Sequence, residues 1–240
     1  MSQERTEAIV LRGVDFSESS RIVTLLSPDR GRLVCMAKGV KRPKSQLAGL
    51  LDTFNRLEVV YYWKDSREVQ QLGDVTLLDA FPAIKHDLDK STYAAFPLEL
   101  AAKTAHDNEP SAPLFRSLYR GLGDMEKSTA SPRTHAAWQA LRLLEAGGFA
   151  PEFDACVRCG RETPRAAGFA YDGGAACANC RPDAPLTVQE LAKLKALSAA
   201  DAACPALSLD TGTFTLLGSY AAHQLDTTFR SLRVIQQMYS

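Results

Sequence analysis

The chain has 240 residues, 45% of them hydrophobic, and its 28 Lys and Arg residues are balanced by 28 Asp and Glu residues. This length allows one large domain or two small ones with proper cores, and we expect two. A formal net charge of zero excludes a protein that attracts polyanions through its overall field. Any nucleic-acid surface must therefore come from local clustering of charge.

The first eighty residues have the pattern of short β-strands, because apolar runs alternate with turn residues and lack helical spacing. The predicted strands cover residues 7–12, 21–27, 31–37, 54–63 and 68–78, with a hairpin turn over residues 27–31. Five short strands in this length predict a closed or nearly closed barrel of the OB type. An SH3-like barrel would give almost the same pattern. Residues 1–81 are thus predicted to form an OB-type nucleic-acid-binding domain.

A local excess of positive charge follows the third predicted strand. Residues 30–44 include six basic residues and no acidic one, namely Arg30, Arg32, Lys38, Lys41, Arg42 and Lys44. Gly39 and Pro43 are typical of an exposed loop, in which charged side chains can reach a ligand. A solvated loop without a ligand remains an alternative, because charge alone does not exclude it.

Aromatic residues on the next predicted strand favour a ligand for this loop. These residues are Phe54, Tyr61, Tyr62 and Trp63. Basic side chains that follow phosphates, beside aromatic faces that stack bases, are what a single-strand groove needs. Because side chains alternate along a strand, Tyr61 and Trp63 point to one face and Tyr62 to the other, so at least one of them is expected in the core.

Beyond Pro82 the apolar spacing changes to the 3.6-residue period of helices, which predicts an α-helical domain over residues 82–240. The predicted helices cover residues 83–106, 113–125, 132–146, a segment after the capping box at residues 187–190, and 214–238. Pro97 is expected to kink or divide the first helix. Arg230 and Arg233 are expected near the carboxyl end of the last helix, where cations favour its dipole.

Two CxxC pairs interrupt the helical region. The four residues are Cys156, Cys159, Cys177 and Cys180. Two tight turns that each present two thiolates are typical of a tetrahedral Zn²⁺ site, and Gly160 and Gly173–Gly174 permit the sharp backbone. We therefore expect one structural zinc ion in a knuckle over residues 149–185, inserted in the helical domain.

Two other chemistries could also use paired cysteines. Disulfides are disfavoured because no apolar segment at the amino terminus would direct the chain to an oxidising compartment, and we expect a cytoplasmic protein. A redox CxxC would begin a helix in a βαβ unit, and no such unit surrounds either pair. The remaining cysteines, Cys35 and Cys204, are expected to be small buried residues. The knuckle could also present Arg158, Arg161 and Arg165 to phosphates, although scaffolding is favoured.

Motifs of catalysis are missing from the chain. It contains no phosphate-binding GxxxxGK[ST], dinucleotide-binding GxGxxG, HExxH or nucleophile elbow. The four histidines are spread over separate predicted helices, at residues 86, 106, 135 and 223. We therefore expect a protein that is not an enzyme, without a membrane partner, since no run is apolar enough to span a bilayer.

With these elements in place, the sequence resembles the bacterial RecO family of DNA-repair and recombination mediators. The resemblance rests on Asp29–Gly31, Ala37–Ser45, Leu47–Phe54, Cys156–Gly160 and Gly173–Gly174 ahead of Cys177–Cys180. It also covers the order of barrel, helices, knuckle and helices. The basic-loop motif is fairly specific to the family, whereas paired CxxC motifs alone are not.

The resemblance implies a mediator that needs no ATP. Such proteins bind single- and double-stranded DNA, anneal complementary strands and, with the partner RecR, help RecA displace single-strand-binding protein. Lys38, Lys41, Arg42 and Lys44 then match the family's basic loop and become candidate DNA contacts, with Arg30, Arg32 and Arg56 as further candidates. A basic, apolar groove in the helical domain is expected to take the acidic tail of single-strand-binding protein. The protein is expected at the nucleoid.

Two alternatives to a DNA mediator remain at this stage. One is a zinc-dependent scaffold whose barrel contacts only protein. The other is an RNA-binding barrel, which the clustered charge fits equally well. Only the family resemblance favours DNA.

Overall fold

A computed structural model of the chain describes residues 2–42, 45, 47–162 and 168–239. Five strands precede the first helix, and they are β1 (Ser2–Asp15), β2 (Arg21–Ser27), β3 (Gly31–Ala37), β4 (Arg56–Trp63) and β5 (Gln70–Asp79). They close into a barrel in the order β1-β2-β3-β5-β4. Neighbouring strands are antiparallel except β3 and β5, which are parallel. The barrel confirms the predicted fold of this region.

The barrel core follows from the alternation of apolar residues. In β3, Leu33, Cys35 and Ala37 are buried while the intervening side chains are partly exposed. Desolvation raises the pKa of the Cys35 thiol to about 12, which makes this cysteine an inert core residue. Its burial confirms the sequence-based expectation for Cys35.

Seven helices lie beyond the barrel strands in the described chain. They are α1 (Pro82–His86), α2 (Leu88–Thr104), α3 (Ala112–Lys127), α4 (Pro132–Ala146), α5 (Val188–Ala199), α6 (Thr211–Gln224) and α7 (Arg230–Tyr239). None of the described helices is long and apolar enough to cross a bilayer. The capping box that begins α5 is confirmed, because Thr187 Oγ1 accepts from Glu190 N at 3.2 Å and Glu190 Oε2 accepts from Thr187 N at 2.6 Å.

The chain forms two compact units, and their limits do not follow the change from strands to helices. The first comprises residues 1–82 and 101–123, and the second comprises residues 83–100 and 124–240. Within the first unit Arg32 N donates to His106 O at 3.0 Å and Asn108 N donates to Arg32 O at 3.2 Å. Residues near 107 therefore pair with the barrel, whereas the sequence predicted a division at residue 81.

Gly31 shows why this pairing needs a glycine. Its φ is +54°, and a Cβ atom there would lie 2.2 Å from Glu109 O and 2.7 Å from His106 O. A side chain would therefore both strain the backbone and collide with the segment that pairs with the barrel. The Asp29–Gly31 motif in the sequence thus has a packing reason.

The first predicted helix is divided, but at Asp87 and not at Pro97. Asp87 Oδ1 accepts from Lys90 N at 2.9 Å, which is the contact of a residue that caps the start of α2. Pro97 lies inside α2, so of the two predicted effects the division was wrong, and the kink stays a prediction. The aspartate ends one helix and begins the next.

The prediction of a single long helix over residues 214–238 was also wrong. It is two helices, α6 and α7, separated by residues 225–229, where Asp226 has a φ of +44°. The apolar spacing continues across the break, and the interval contains neither Gly nor Pro, so the sequence pattern does not show it. Arg230 consequently begins α7 and does not stabilise the carboxyl end of a helix.

Glu99 caps the amino terminus of α7 from a distant helix. Its carboxylate accepts from Arg230 N at 3.1 Å, from Ser231 N at 2.9 Å and from Ser231 Oγ at 2.7 Å. Two otherwise unpaired helix donors and the positive end of the dipole are therefore satisfied by one side chain.

We expect Glu99→Ala to destabilise the second unit by about 1–2 kcal/mol, the usual cost of losing a helix cap. The α7 amides should exchange faster with solvent hydrogen, and urea unfolding should shift to lower concentration. Glu145→Ala removes an exposed carboxylate that pairs with Arg142, and Arg142 keeps Asp201 as a partner, so this change should alter stability by less than about 1 kcal/mol. Equal effects of the two substitutions would contradict the capping role.

Candidate metal centre and nucleic-acid interface

The four cysteines of the CxxC pairs converge in the second unit. They lie around β6 (Gly168–Ala170), β7 (Gly174–Ala176) and a 3₁₀ turn at Ala178–Cys180. Their sulfur atoms all lie within 4.8 Å of one another. Cys159 Sγ and Cys177 Sγ are 3.8 Å apart, which is about the edge of a tetrahedron with metal–sulfur bonds of roughly 2.3 Å.

Backbone hydrogen bonds shape the two cysteine turns. Gly160 N donates to Cys156 O at 2.8 Å, with Gly160 at a φ of +71°. Cys180 N donates to Cys177 O at 2.9 Å in the second turn. Each CxxC pair is thus a tight turn that directs both sulfurs to one side, as the sequence predicted.

The electrostatics of the four thiols favour a cation between them. The backbone N–H of Cys177 donates to Cys156 Sγ at 3.4 Å, and this lowers the pKa of Cys156 to about 6. Hydrogen bonds with Cys177 and Cys159 raise the pKa of Cys180 to about 12. Four sulfurs this close cannot all ionise unless a positive charge compensates them.

The donor set fits a structural metal ion. All four ligands are sulfur, which soft or borderline ions such as Zn²⁺ prefer, and four protein ligands leave no open position for a substrate. The cluster could therefore hold one metal ion in a closed, non-catalytic site.

Gly174 allows two backbones to pass in contact beside this site. Its φ is +141°, and a Cβ atom there would lie 2.1 Å from Glu152 O. Ala175 N donates to that same carbonyl at 2.7 Å, and Glu152 N donates to Gly173 O at 2.9 Å. The Gly173–Gly174 pair therefore lets the segment before the first cysteine turn pair with the start of β7.

Arg158 holds the knuckle together. Its guanidinium donates to Asp183 at 3.1 Å, to Asp172 at 3.2 Å and to the carbonyl of Cys180 at 2.7 Å. These contacts tie the first cysteine turn to the second and leave little donor capacity for a phosphate. Arg161 is exposed, and Arg165 lies outside the described residues.

The basic loop forms an exposed turn directly after β3. Lys38, Lys41 and Arg42 are exposed within it, and Arg42 N donates to Gly39 O at 3.1 Å, with Gly39 at a φ of +71°. Lys41 Nζ lies 3.0 Å from Asp15 Oδ2. Lys44 lies outside the described residues. The structure therefore brings three of the four loop cations into one turn.

The three further basic candidates are all held by carboxylates of the barrel unit. Arg32 donates two hydrogen bonds to Asp107, at 2.5 and 2.9 Å. Arg30 lies 2.8 Å from Glu4, and its guanidinium covers the Trp63 ring at 4.2 Å.

Arg56 completes this set. It contacts Asp79 at 2.7 Å and Glu7 at 3.0 Å, and its guanidinium lies 4.2 Å from the centre of the Tyr119 ring. These three arginines lie near the loop in the sequence, but in the structure carboxylates pair with them. They therefore add no free positive charge to the loop.

The aromatic residues on and before β4 contribute less surface than the sequence suggested. Tyr61 is buried and its hydroxyl donates to Glu4 at 2.8 Å, which confirms that at least one of them is core. Burial would raise the pKa of Glu4, but hydrogen bonds from Tyr61 and Arg30 lower it overall. Phe54 is buried at a φ of +76°, and Trp63 packs against the barrel core.

Sequence reasoning missed an exposed aromatic residue on the hairpin that contacts the basic turn. Phe16 follows β1 at the tip of the β1–β2 hairpin and is 62% exposed. Its signal in the sequence is a single apolar residue inside the polar stretch at residues 15–20, where no core position is expected.

A pocket in the second unit differs from the groove expected for an acidic tail. Its described lining includes Tyr171, Pro185, Leu186, Glu190 and Leu216, and no Lys or Arg belongs to it. Glu190 would repel a carboxylate there. The pocket therefore lacks the basic character that the sequence-based expectation required.

Comparison with known proteins adds to this geometry. The family model "Recombination protein O N terminal" matches residues 1–81, and "Recombination protein O C terminal" matches residues 85–233. A DNA repair protein RecO from Chlorobium luteolum is 31% identical over 258 aligned positions, which cover 98% of each chain.

Two further relatives carry the same name. The protein from Anaeromyxobacter dehalogenans is 34% identical over 194 positions that cover 78% of this chain and 74% of the relative. The protein from Streptomyces griseus is 29% identical over 249 positions that cover 99% and 100%.

Proposed function

The chain belongs to the RecO family of DNA repair proteins, and from that premise we propose that it binds single- and double-stranded DNA and anneals complementary strands. Family membership gives it a role in DNA repair and recombination. It would also act with RecR to help load RecA onto DNA coated with single-strand-binding protein. The carboxyl-terminal tail of single-strand-binding protein would be a further partner.

The exposed cationic turn on the barrel carries this proposal. OB-type barrels bind oligonucleotides through a strand face and the adjoining loops. Here Lys38, Lys41 and Arg42 lie in one exposed turn after β3. Lys44, two residues further along the chain, joins the proposed contacts from the sequence motif alone. Arg30, Arg32 and Arg56 would reach DNA only by leaving their carboxylate partners, so they are secondary contacts in the proposal.

The four-cysteine cluster would serve as a scaffold for the second unit and not as a reaction centre. We assign it one Zn²⁺ ion held by Cys156, Cys159, Cys177 and Cys180. The closed sulfur set and the ties from Arg158 support this assignment. The proposed activity needs no catalytic residue, since annealing and loading proceed through binding.

Binding of a fluorescent single-stranded oligonucleotide across a salt series tests the proposal. If four cations contact phosphates, log K should fall with log salt at a slope of about −3. A fourfold rise in salt should then weaken binding by about fifty-fold. Absence of binding to both single- and double-stranded DNA at low salt would overturn the proposal and favour a protein scaffold. Tighter binding to RNA of equal length would instead favour an RNA-binding barrel.

A further inference from the structure

We propose that Phe16 is a stacking site for an unpaired nucleobase beside the basic turn. The inference rests on the proposed DNA-binding function and deepens it, because it names the group that would distinguish single strands from duplex. It assigns the base-contacting role to the β1–β2 hairpin and not to the aromatic residues of β4.

The exposed side chain of Phe16 does not belong to the barrel core. Its side chain is 62% exposed, and it is the only aromatic among the strongly exposed large hydrophobic residues of the described chain. Its neighbours Asp15, Ser17 and Glu18 are exposed polar residues, and Val14 is the other exposed apolar residue of this hairpin. Single exposed apolar residues are common, and the case for a ligand therefore rests on where this one lies.

The hairpin tip that carries Phe16 is ordered by its own hydrogen bonds. Phe16 N donates to Ser20 O at 3.0 Å, and Ser17 N donates to the same carbonyl at 3.3 Å. Ser20 N in turn donates to Ser17 Oγ at 3.2 Å. A ring presented by a closed turn loses less conformational freedom when a base stacks on it than a ring on an open loop would.

Two contacts join this hairpin to the basic turn. Lys41 N donates to Ser19 O at 3.2 Å, and Lys41 Nζ lies 3.0 Å from Asp15 Oδ2. Asp15 also accepts from Arg21 Nε at 3.1 Å. Phe16 is therefore the residue next to the carboxylate that holds Lys41 in place, and the hairpin tip that carries the ring lies against the basic turn.

This combination matches the chemistry of single-strand binding. Cations follow the phosphates and an aromatic face takes one base, without reading its sequence, because every base has a π-face. Bases inside a duplex are already stacked and cannot use the ring. A protein partner fits less well, since two exposed apolar side chains, Val14 and Phe16, are far smaller than an apolar docking patch.

The test compares wild type with Phe16→Ala on two oligonucleotides of equal length and charge, one intact single strand and one with abasic positions. Removing the ring should weaken binding of the intact strand by about five- to one-hundred-fold, the range for one stacked base. It should leave binding of the abasic strand and of duplex unchanged, and the salt slope should stay the same because no charge is altered.

Matched variants keep the result specific. Leu77→Ala truncates an exposed apolar residue of β5 that pairs with Leu57 of β4, outside the hairpin. This variant should leave all binding unchanged. Phe16→Trp should retain binding and show a change in its fluorescence when the intact strand binds. If Phe16→Ala weakens both strands equally, or neither, the stacking role is wrong although the protein binds DNA. If wild type binds no DNA, the proposed function itself fails.

Discussion

Removal of metal from the purified protein with a chelator is expected to unfold the knuckle of residues 149–185 while the barrel stays folded. The apolar cluster around the cysteines is small, with Cys156, Ala170 and Ala176 as its buried residues. Phe153 and Phe169 of the same segment are buried as well, and Phe169 packs against Tyr220 of α6. Strands β6 and β7 have only three residues each. The cysteine turns have so small a core of their own that we expect them and the short strands between them to depend on the metal for folding.

The expected magnitude is large because metal binding and local folding are coupled. Apparent zinc affinities of roughly 10–16 kcal/mol are typical of small zinc domains at neutral pH. Hydrogen exchange should show loss of protection in β6, β7 and the two cysteine turns. Protection in β1–β5, which belong to the other compact unit, should persist.

Single substitutions test whether folding of the knuckle depends on the metal-binding cysteines and not on any cysteine of the chain. Cys159→Ser should abolish stoichiometric zinc and reproduce the exchange pattern of the chelated protein. Cys204→Ser changes a partly buried thiol that is outside the cluster, so it should retain zinc and protection. Full protection of the knuckle in metal-free protein would contradict the structural role, and binding of a different ion would contradict the assignment of zinc.

The parts of the fold that sequence predicted well are those fixed by local patterns. The strands β2 and β3 were predicted with the bounds that the structure has, because alternating apolar residues flank a turn of Pro, Asp and Gly. The start of α5 follows from its capping box in the same way. The cysteine cluster was predictable because each CxxC pair supplies two of the four ligands from one local turn.

Features that depend on contacts distant in sequence were not predictable. Arg30 and Arg32 appear beside the loop cations in sequence, yet their carboxylate partners lie 26 and 75 residues away. The break between α6 and α7 leaves the apolar period intact, and its cap, Glu99, lies 131 residues from Arg230. Counting charge along the chain therefore overestimates the free charge that a fold leaves for a ligand.

Reversal of the basic loop by Lys38→Glu, Lys41→Glu, Arg42→Glu and Lys44→Glu is expected to abolish DNA binding at low salt. For a single strand, four phosphate contacts multiply the binding constant by about the salt concentration, in mol/L, to the power −2.8. At about 0.05 M salt this factor is on the order of several thousandfold. Lys41 is already partly neutralised by Asp15, so a loss of a few hundredfold is the lower expectation.

The loss should come from electrostatics and not from unfolding. The loop cations that the structure describes are exposed, and the variant should keep the circular dichroism and the zinc content of wild type. Its residual binding should show a salt slope closer to zero. Duplex binding should fall as well, because phosphates are common to both forms.

A control with the same change in net charge distinguishes the loop from the general field of the protein. Arg116, Arg120, Lys127 and Arg233 are exposed basic residues on α3 and α7. Reversing these four should weaken binding far less than reversing the loop, because none of them lies in the turn that carries the proposed phosphate contacts. If the two variants lose affinity equally, DNA contacts are spread over the molecule. If the loop variant binds as wild type does, the site lies elsewhere, and the exposed Arg161 of the knuckle becomes the next candidate.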